Sequence, residues 1–179
     1  MALTVSIDTY VTIDEADELI RQRFTSTNAQ RVAWLQLSTE DKEIMLRNAA
    51  SEINNVAFSG IKKTPSQALA FPRCFRSQFA DQVLWDKKHI NGGIWSCQID
   101  TPETVKAAQI FEAVELASPG PDTERFNVYN GVVTNMSITG LSESYVVTSP
   151  SSTAALANAL RSTQAQQLLS RYVGRYRVK

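Results

Sequence analysis

The sequence is short of nearly everything that catalytic, membrane-spanning or secreted chains advertise. It holds one histidine, His89, and two cysteines, Cys74 and Cys97, in 179 residues. A lone imidazole beside Lys87 and Lys88 has no second positioned group for acid–base work, so it reads as a surface residue. There is no Gly-rich phosphate loop, no nucleophile elbow, and no His/Cys cluster at metal-ligand spacing. These absences point away from an enzyme, and no cofactor or metal is expected. No apolar run approaches the ~18 residues that a membrane span needs, so no membrane partner is expected. The first residues, MALTVSIDTY, lack a basic stretch leading into an apolar one, so no secretion signal is expected. The cysteines stand far apart in a chain able to build its own core, and they read as two reduced thiols. Formal net charge is zero, whereas a free-standing nucleic-acid binder usually shows a basic excess.

What is present is the pattern of a soluble, mainly α domain. Thr12-Ile13-Asp14-Glu15 has the spacing of a capping box, in which hydroxyl and carboxylate satisfy each other's backbone N–H. Asp14, Glu15, Asp17 and Glu18 then crowd the first turns, where the helix dipole favours negative charge. That is the normal electrostatics of a helix start and needs no metal. Ile13, Ala16, Ile20 and Phe24 recur at helical spacing. After a polar connector over 25–30 comes a short apolar piece, Arg31 to Leu37. Ser38 and Asp41 open a second strong helix with Met45, Ala49, Ile53 and Val56 on one stripe. Thr101-Pro102-Glu103 starts a third, with proline where it removes no hydrogen bond. Ala107, Ile110, Phe111, Val114 and Ala117 share its face, and Pro119-Gly120-Pro121 ends it.

Residues 74–99 fit neither the helix nor the strand period, and Asn91-Gly92-Gly93 marks a turn. They read as an ordered loop or excursion. From 126 to 149 the composition is Val, Thr, Tyr, Ser and Asn, which suits strands or an arm. A final helix carries Ala165, Leu168, Leu169, Tyr172 and Val173. No acidic residue follows Glu143, while Arg161, Arg171, Arg175, Arg177 and Lys179 do. The expected organisation is therefore a compact helical bundle over 1–118, an extended β-like arm or hairpin over 119–150, and a C-terminal helix with a basic tail over 151–179.

Four stretches in order, "YVTIDEADELIRQRF" (10–24), "STEDKEIMLRNAASEIN" (38–54), "GIKKTPSQALAFPR" (60–73) and "TPETVKAAQIFEAVELA" (101–117), resemble the adaptor, or head-completion, proteins that connect head to tail in tailed bacteriophages. The third stretch is similar to that family's Gln-x-Leu-x-Trp-Pro-Arg segment, with Phe71 in place of Trp. The resemblance implies a structural virion protein: a ring, twelve-fold by family habit, docked beneath the portal protein. It would hand on to the next neck or tail-terminator protein, with genomic DNA only passing through the channel. It also implies a location in the virion, and in host cytoplasm before assembly. Gln67, Leu69, Phe71, Pro72 and Arg73 would then be a packing motif, with Arg73 paired at the surface. Arg171, Tyr172, Arg175, Tyr176, Arg177 and Lys179 become the candidate portal contact, since interfaces favour Tyr and Arg. Asp14, Glu15, Asp17 and Glu18 become the candidate subunit contact of a head-to-tail ring.

Related sequences also carry the label DnaT-like single-stranded-DNA-binding protein, which gives the alternative: a replication accessory. On that reading Arg73 and Arg76, interleaved with Phe71 and Phe75, would grip a strand, with Trp34, Trp85 and Trp95 as further stacking platforms. The competing reading of the same aromatics is that they fill the core of a small helical domain.

Overall fold

A computed structural model of the chain describes residues 3–76, 85–90, 93–129, 135–138, 141–144, 156 and 159–173. Three helices open the fold: α1 (Ile13–Arg23), α2 (Ala29–Gln36) and α3 (Thr39–Asn54). Each begins on a side-chain cap. The Thr12 capping box forms, with the Glu15 N–H donating to the Thr12 hydroxyl (3.2 Å) and the Thr12 N–H donating to the Glu15 carboxylate (2.7 Å). Asn28 and Ser38 accept the N–H groups of Arg31 and Asp41. The apolar piece read at Arg31 to Leu37 lies largely inside α2, whose Trp34 is fully buried.

The helix α4 (Glu103–Ala117) lies at the centre, packed against α1, α2, α3 and a C-terminal helix, here α6 (Thr163–Leu169). Val105, Ala108, Ile110, Ala113 and Val114 are buried on it, and so are three polar residues, Gln109, Glu112 and Glu115. Burying polar groups is tolerable only when they are bonded. Gln109 accepts the Tyr10 N–H (2.9 Å) and donates to the Thr9 hydroxyl and the Leu46 carbonyl, both at 2.7 Å. The residues 160–173 fill the same core: Leu160, Ala165, Leu169 and Tyr172 are buried with Ile20, Leu46 and Ile53.

Four strands between residues 61 and 98 pair as an antiparallel sheet, which corrects the expected loop or excursion over 74–99. Its strands are β1 (Ile61–Lys62), β2 (Arg73–Arg76), β3 (Trp85–Ile90) and β4 (Gly93–Gln98), in the order β1-β2-β4-β3. The period was invisible because Ser96, Cys97 and Gln98 on β4 are all buried, so neither face alternates with solvent. Pairing Cys74 with Cys97 in register also corrects the expectation of free thiols: the two form a disulfide, with Cα atoms 3.9 Å apart. Distance along the chain hid a pairing that only the sheet creates. Closing a loop of 23 residues stabilises the folded chain by about 3 kcal/mol on chain-entropy grounds. We expect Cys74→Ser with Cys97→Ser to lower the denaturant midpoint accordingly, with the far-ultraviolet circular dichroism retained.

The expected arm is helical at its start. Residues 121–129 form α5 (Pro121–Tyr129), because the Glu115 carboxylate accepts the N–H groups of Gly120 (2.8 Å) and Thr123 (3.0 Å) and so caps it. Proline at the first position and carboxylates at Asp122 and Glu124 complete that start. Strands β5 (Asn135–Ile138) and β6 (Leu141–Ser144) pair antiparallel as a separate two-stranded sheet. The fold is thus mixed and predominantly helical.

Candidate nucleic-acid interface

The strand β2 sets out the site by alternation. Arg73 and Phe75 point to one face and Cys74 and Arg76 to the other, as successive strand residues must. Phe75 is buried in the core against Tyr172 (ring centroids 6.2 Å). Arg73 is 8% exposed and spends its guanidinium on backbone carbonyls: Nε to Ser59 (2.8 Å), Nη1 to Ala70 (3.2 Å), and Nη2 to Phe58 (3.1 Å) and Gly60 (2.9 Å). Gly60 stands at φ +74°, where a Cβ would run into the Cys74 carbonyl. Arg73 is therefore a buried hub, not a residue paired at the surface as expected.

Arg76, one alternation from Cys74, is exposed. Its register partner on β4 is Trp95, and Trp95 is in turn the register partner of Lys88 on β3. Arg76, Trp95 and Lys88 thus occupy three consecutive positions across the sheet. Trp95 is half-buried, whereas Ser96 beside it is buried on the core face with Phe75. The charge of this region is one-signed. Between residues 60 and 99 there are six cations (Lys62, Lys63, Arg73, Arg76, Lys87, Lys88) and two carboxylates, although the whole chain is neutral. Before residue 60 the balance reverses, with nine carboxylates to five cations. A local excess of cations is what backbone phosphates require, whatever the net charge of the whole chain.

A family model described as "Putative DnaT-like ssDNA binding protein" matches residues 2–178. The chain belongs to this DnaT-like family. No curated protein and no solved structure matches it. Membership of the DnaT-like family overturns the expected virion adaptor, and with it the dodecameric ring and the portal, neck and tail-terminator partners. The physical reason is that the four resembling stretches are fold elements. They hold α1, α3, α4 and the turn into β2, and a shared scaffold carries no information about partners.

The residues singled out from the sequence fall in different places. Phe71 is buried among Tyr10, Phe58 and Tyr172, with the nearest centroids at 4.8 Å (Phe58) and 5.0 Å (Tyr172). Leu69 is buried beside it, and Gln67 donates to the carbonyls of Leu69 (2.9 Å) and Pro72 (3.0 Å). The Tyr10 hydroxyl lies 2.9 Å from Asn54 and accepts the Ala70 N–H (3.0 Å); burial pushes its pKa up to about 12. Trp34, Phe71 and Phe75 are therefore core residues and not stacking platforms. Asp17 accepts the Trp34 indole N–H (2.8 Å) and the Lys42 ammonium (2.9 Å) inside one chain. Glu15 is held below the usual carboxylate range, chiefly by the Thr12 N–H. Asp14 and Glu18 are exposed.

At the other end Tyr172 is buried, with its hydroxyl 3.0 Å from that of Thr104, while Arg171 is exposed. Arg175, Tyr176, Arg177 and Lys179 lie outside the described residues. Sequence reasoning missed the carboxyl cluster that fastens this segment. Glu112 accepts the N–H groups of Arg161 (2.8 Å) and Ser162 (2.9 Å), and Glu52 pairs with the Arg161 guanidinium (3.2 Å). Burial, with Glu52 alongside, pushes Glu112 up to about 8 despite those two N–H donors. The sequence carried no signal for it, since Glu112 falls opposite the apolar stripe read on α4.

Proposed function

We propose that this protein binds single-stranded DNA without catalysing a reaction of its own, as an accessory factor whose affinity comes mainly from phosphate contacts. The family match across residues 2–178 carries this reading. The basic segment 60–99 supports it, because phosphate binding needs local rather than net positive charge. In this reading the helical body is a scaffold, the four-stranded sheet is the working face, and the β5–β6 hairpin is an arm.

The test is a fluorescence-anisotropy titration of a labelled oligothymidylate, with a duplex of mixed sequence as comparison. At about 50 mM salt the single strand is expected to bind more tightly than the duplex, and binding should weaken steeply as salt rises. Absence of binding at low salt, or equal binding of both forms, contradicts the proposal.

A further inference from the structure

We propose that residues 160–173 form a proton-controlled latch on the helical body. It stays closed while Glu52 and Glu112 share a proton, and it opens as a unit, with the body intact, when that proton leaves. Helix α6 has seven residues, too few to stand alone, so it is helical only while docked. Docking buries Leu160, Ala165, Leu169 and Tyr172 against the core. The polar fastening gathers at one end, where Glu112 on α4 accepts the N–H groups of Arg161 (2.8 Å) and Ser162 (2.9 Å). Ser162 is also the cap of α6, so this carboxyl holds the start of the helix in place. At the far end the Tyr172 carbonyl takes the Ser59 N–H (2.8 Å) and the Tyr172 hydroxyl meets that of Thr104 (3.0 Å).

The cluster at the fastened end needs a proton to close. Each oxygen of the buried Glu112 carboxyl meets one backbone N–H, and Glu52 from α3 lies alongside. Glu52 Oε1 pairs with the Arg161 guanidinium (3.2 Å), while its Oε2 is buried with no donor among the described residues. One guanidinium thus serves two carboxyls, and the vacant Oε2 fits a proton carried by Glu112. Asp122 on α5 takes the Thr163 N–H (2.9 Å) and hydroxyl (2.6 Å), Glu115 on α4 caps α5, and α6 has no titratable side chain. The Glu52 and Arg161 side chains are 27% and 30% exposed, which gives the proton a path to solvent.

With the segment lifted, Glu112 meets water and keeps its proton only to about 4.5; closed, burial and Glu52 hold it to about 8. The closed form therefore keeps a proton that the open form releases to solvent. Between those values opening grows about tenfold per pH unit, and outside them it is flat. The body has ties of its own: Gln109 on α4 accepts the Tyr10 N–H and donates to the Leu46 carbonyl, neither of which involves the segment. An end segment held from one side is where local opening concentrates.

The experiment is hydrogen exchange read by mass spectrometry on the full chain from about pH 6 to 8, each rate divided by that of the same peptide unfolded. Peptides from 160–173 should be less protected than those from α3 at every pH. Their protection should fall about a hundredfold across the series, tenfold per unit. Glu112→Gln should remove that fall. Glu52→Gln, which takes away the like charge and offers Glu112 an amide donor, should move its upper end below pH 8. Equal protection of both regions in the wild type overturns the latch, since the segment then opens only with the whole fold. Lower protection that ignores pH overturns the proton control, and a fall retained in Glu112→Gln overturns its assignment to this carboxyl. None of these outcomes bears on DNA binding, which the anisotropy titration reads separately.

Discussion

Glu112→Gln is expected to flatten the pH dependence of stability between pH 4.5 and about 8. The wild-type carboxyl is fully buried on α4, between two backbone N–H donors from residues 161 and 162 and the second carboxyl of Glu52. Desolvation opposes its charge most, Glu52 adds to that, and the N–H donors only partly offset both. Glu52 Oε2 is itself buried without a donor among the described residues, a vacancy filled when Glu112 carries the proton and shares it. The Arg161 guanidinium faces the pair, at 3.2 Å from Glu52, and lies 5.4 Å from the Phe126 ring. Asp122 takes the Thr163 N–H (2.9 Å) from α5.

The unfolded carboxyl loses its proton near 4.5, while the folded one keeps it to about 8. Over that window the unfolded chain binds fewer protons, so stability is full below the lower value and declines as pH rises. The limiting slope is about 1.4 kcal/mol per pH unit for one proton. Glu15, shifted downward, acts in the opposite sense and only under more acidic conditions. Urea unfolding at several pH values checks this. Glutamine keeps one acceptor for the backbone and supplies a fixed donor to Glu52, so the variant should fold with little slope. A variant that retains the wild-type slope contradicts the assignment to Glu112.

Arg73→Met should cost about 4 kcal/mol, from four hydrogen bonds to a charged donor at no less than about 1 kcal/mol each. The guanidinium collects the carbonyls of Phe58, Ser59, Gly60 and Ala70 and so ties the end of α3 to the start of the sheet. Among the described residues no carboxylate pairs with it, and burial pulls its pKa down while leaving it charged. Methionine matches the length but leaves the carbonyls without donors. The turn they sit in also donates the Ser59 N–H to the Tyr172 carbonyl (2.8 Å), so the C-terminal segment should loosen as well. Denaturant unfolding gives the loss, and a value under about 1 kcal/mol would mean that water replaces the guanidinium.

Helices were legible where caps and stripes agreed. Thr12, Ser38 and Pro102 mark the starts of α1, α3 and α4, and Ala16, Ile20, Ala49 and Ile53 their buried faces. The buried side of α4 was only half legible. Gln109, Glu112 and Glu115 look like a solvent face in sequence, yet each is buried because backbone N–H groups or side chains from distant segments satisfy it. The sheet was not legible, since β2 reads Arg-Cys-Phe-Arg and its arginines have opposite fates. Arg73 turns inward and Arg76 outward, and a single residue of register decides which. Net charge conceals a related feature: an acidic first third offsets the basic segment 60–99 in the total.

The most direct test of the account is ultraviolet crosslinking of an oligothymidylate to the full chain, followed by peptide mapping. Crosslinked peptides should fall within the basic segment 60–99. Crosslinks confined to 161–179, or none at concentrations that saturate binding, would contradict a DNA interface on the sheet.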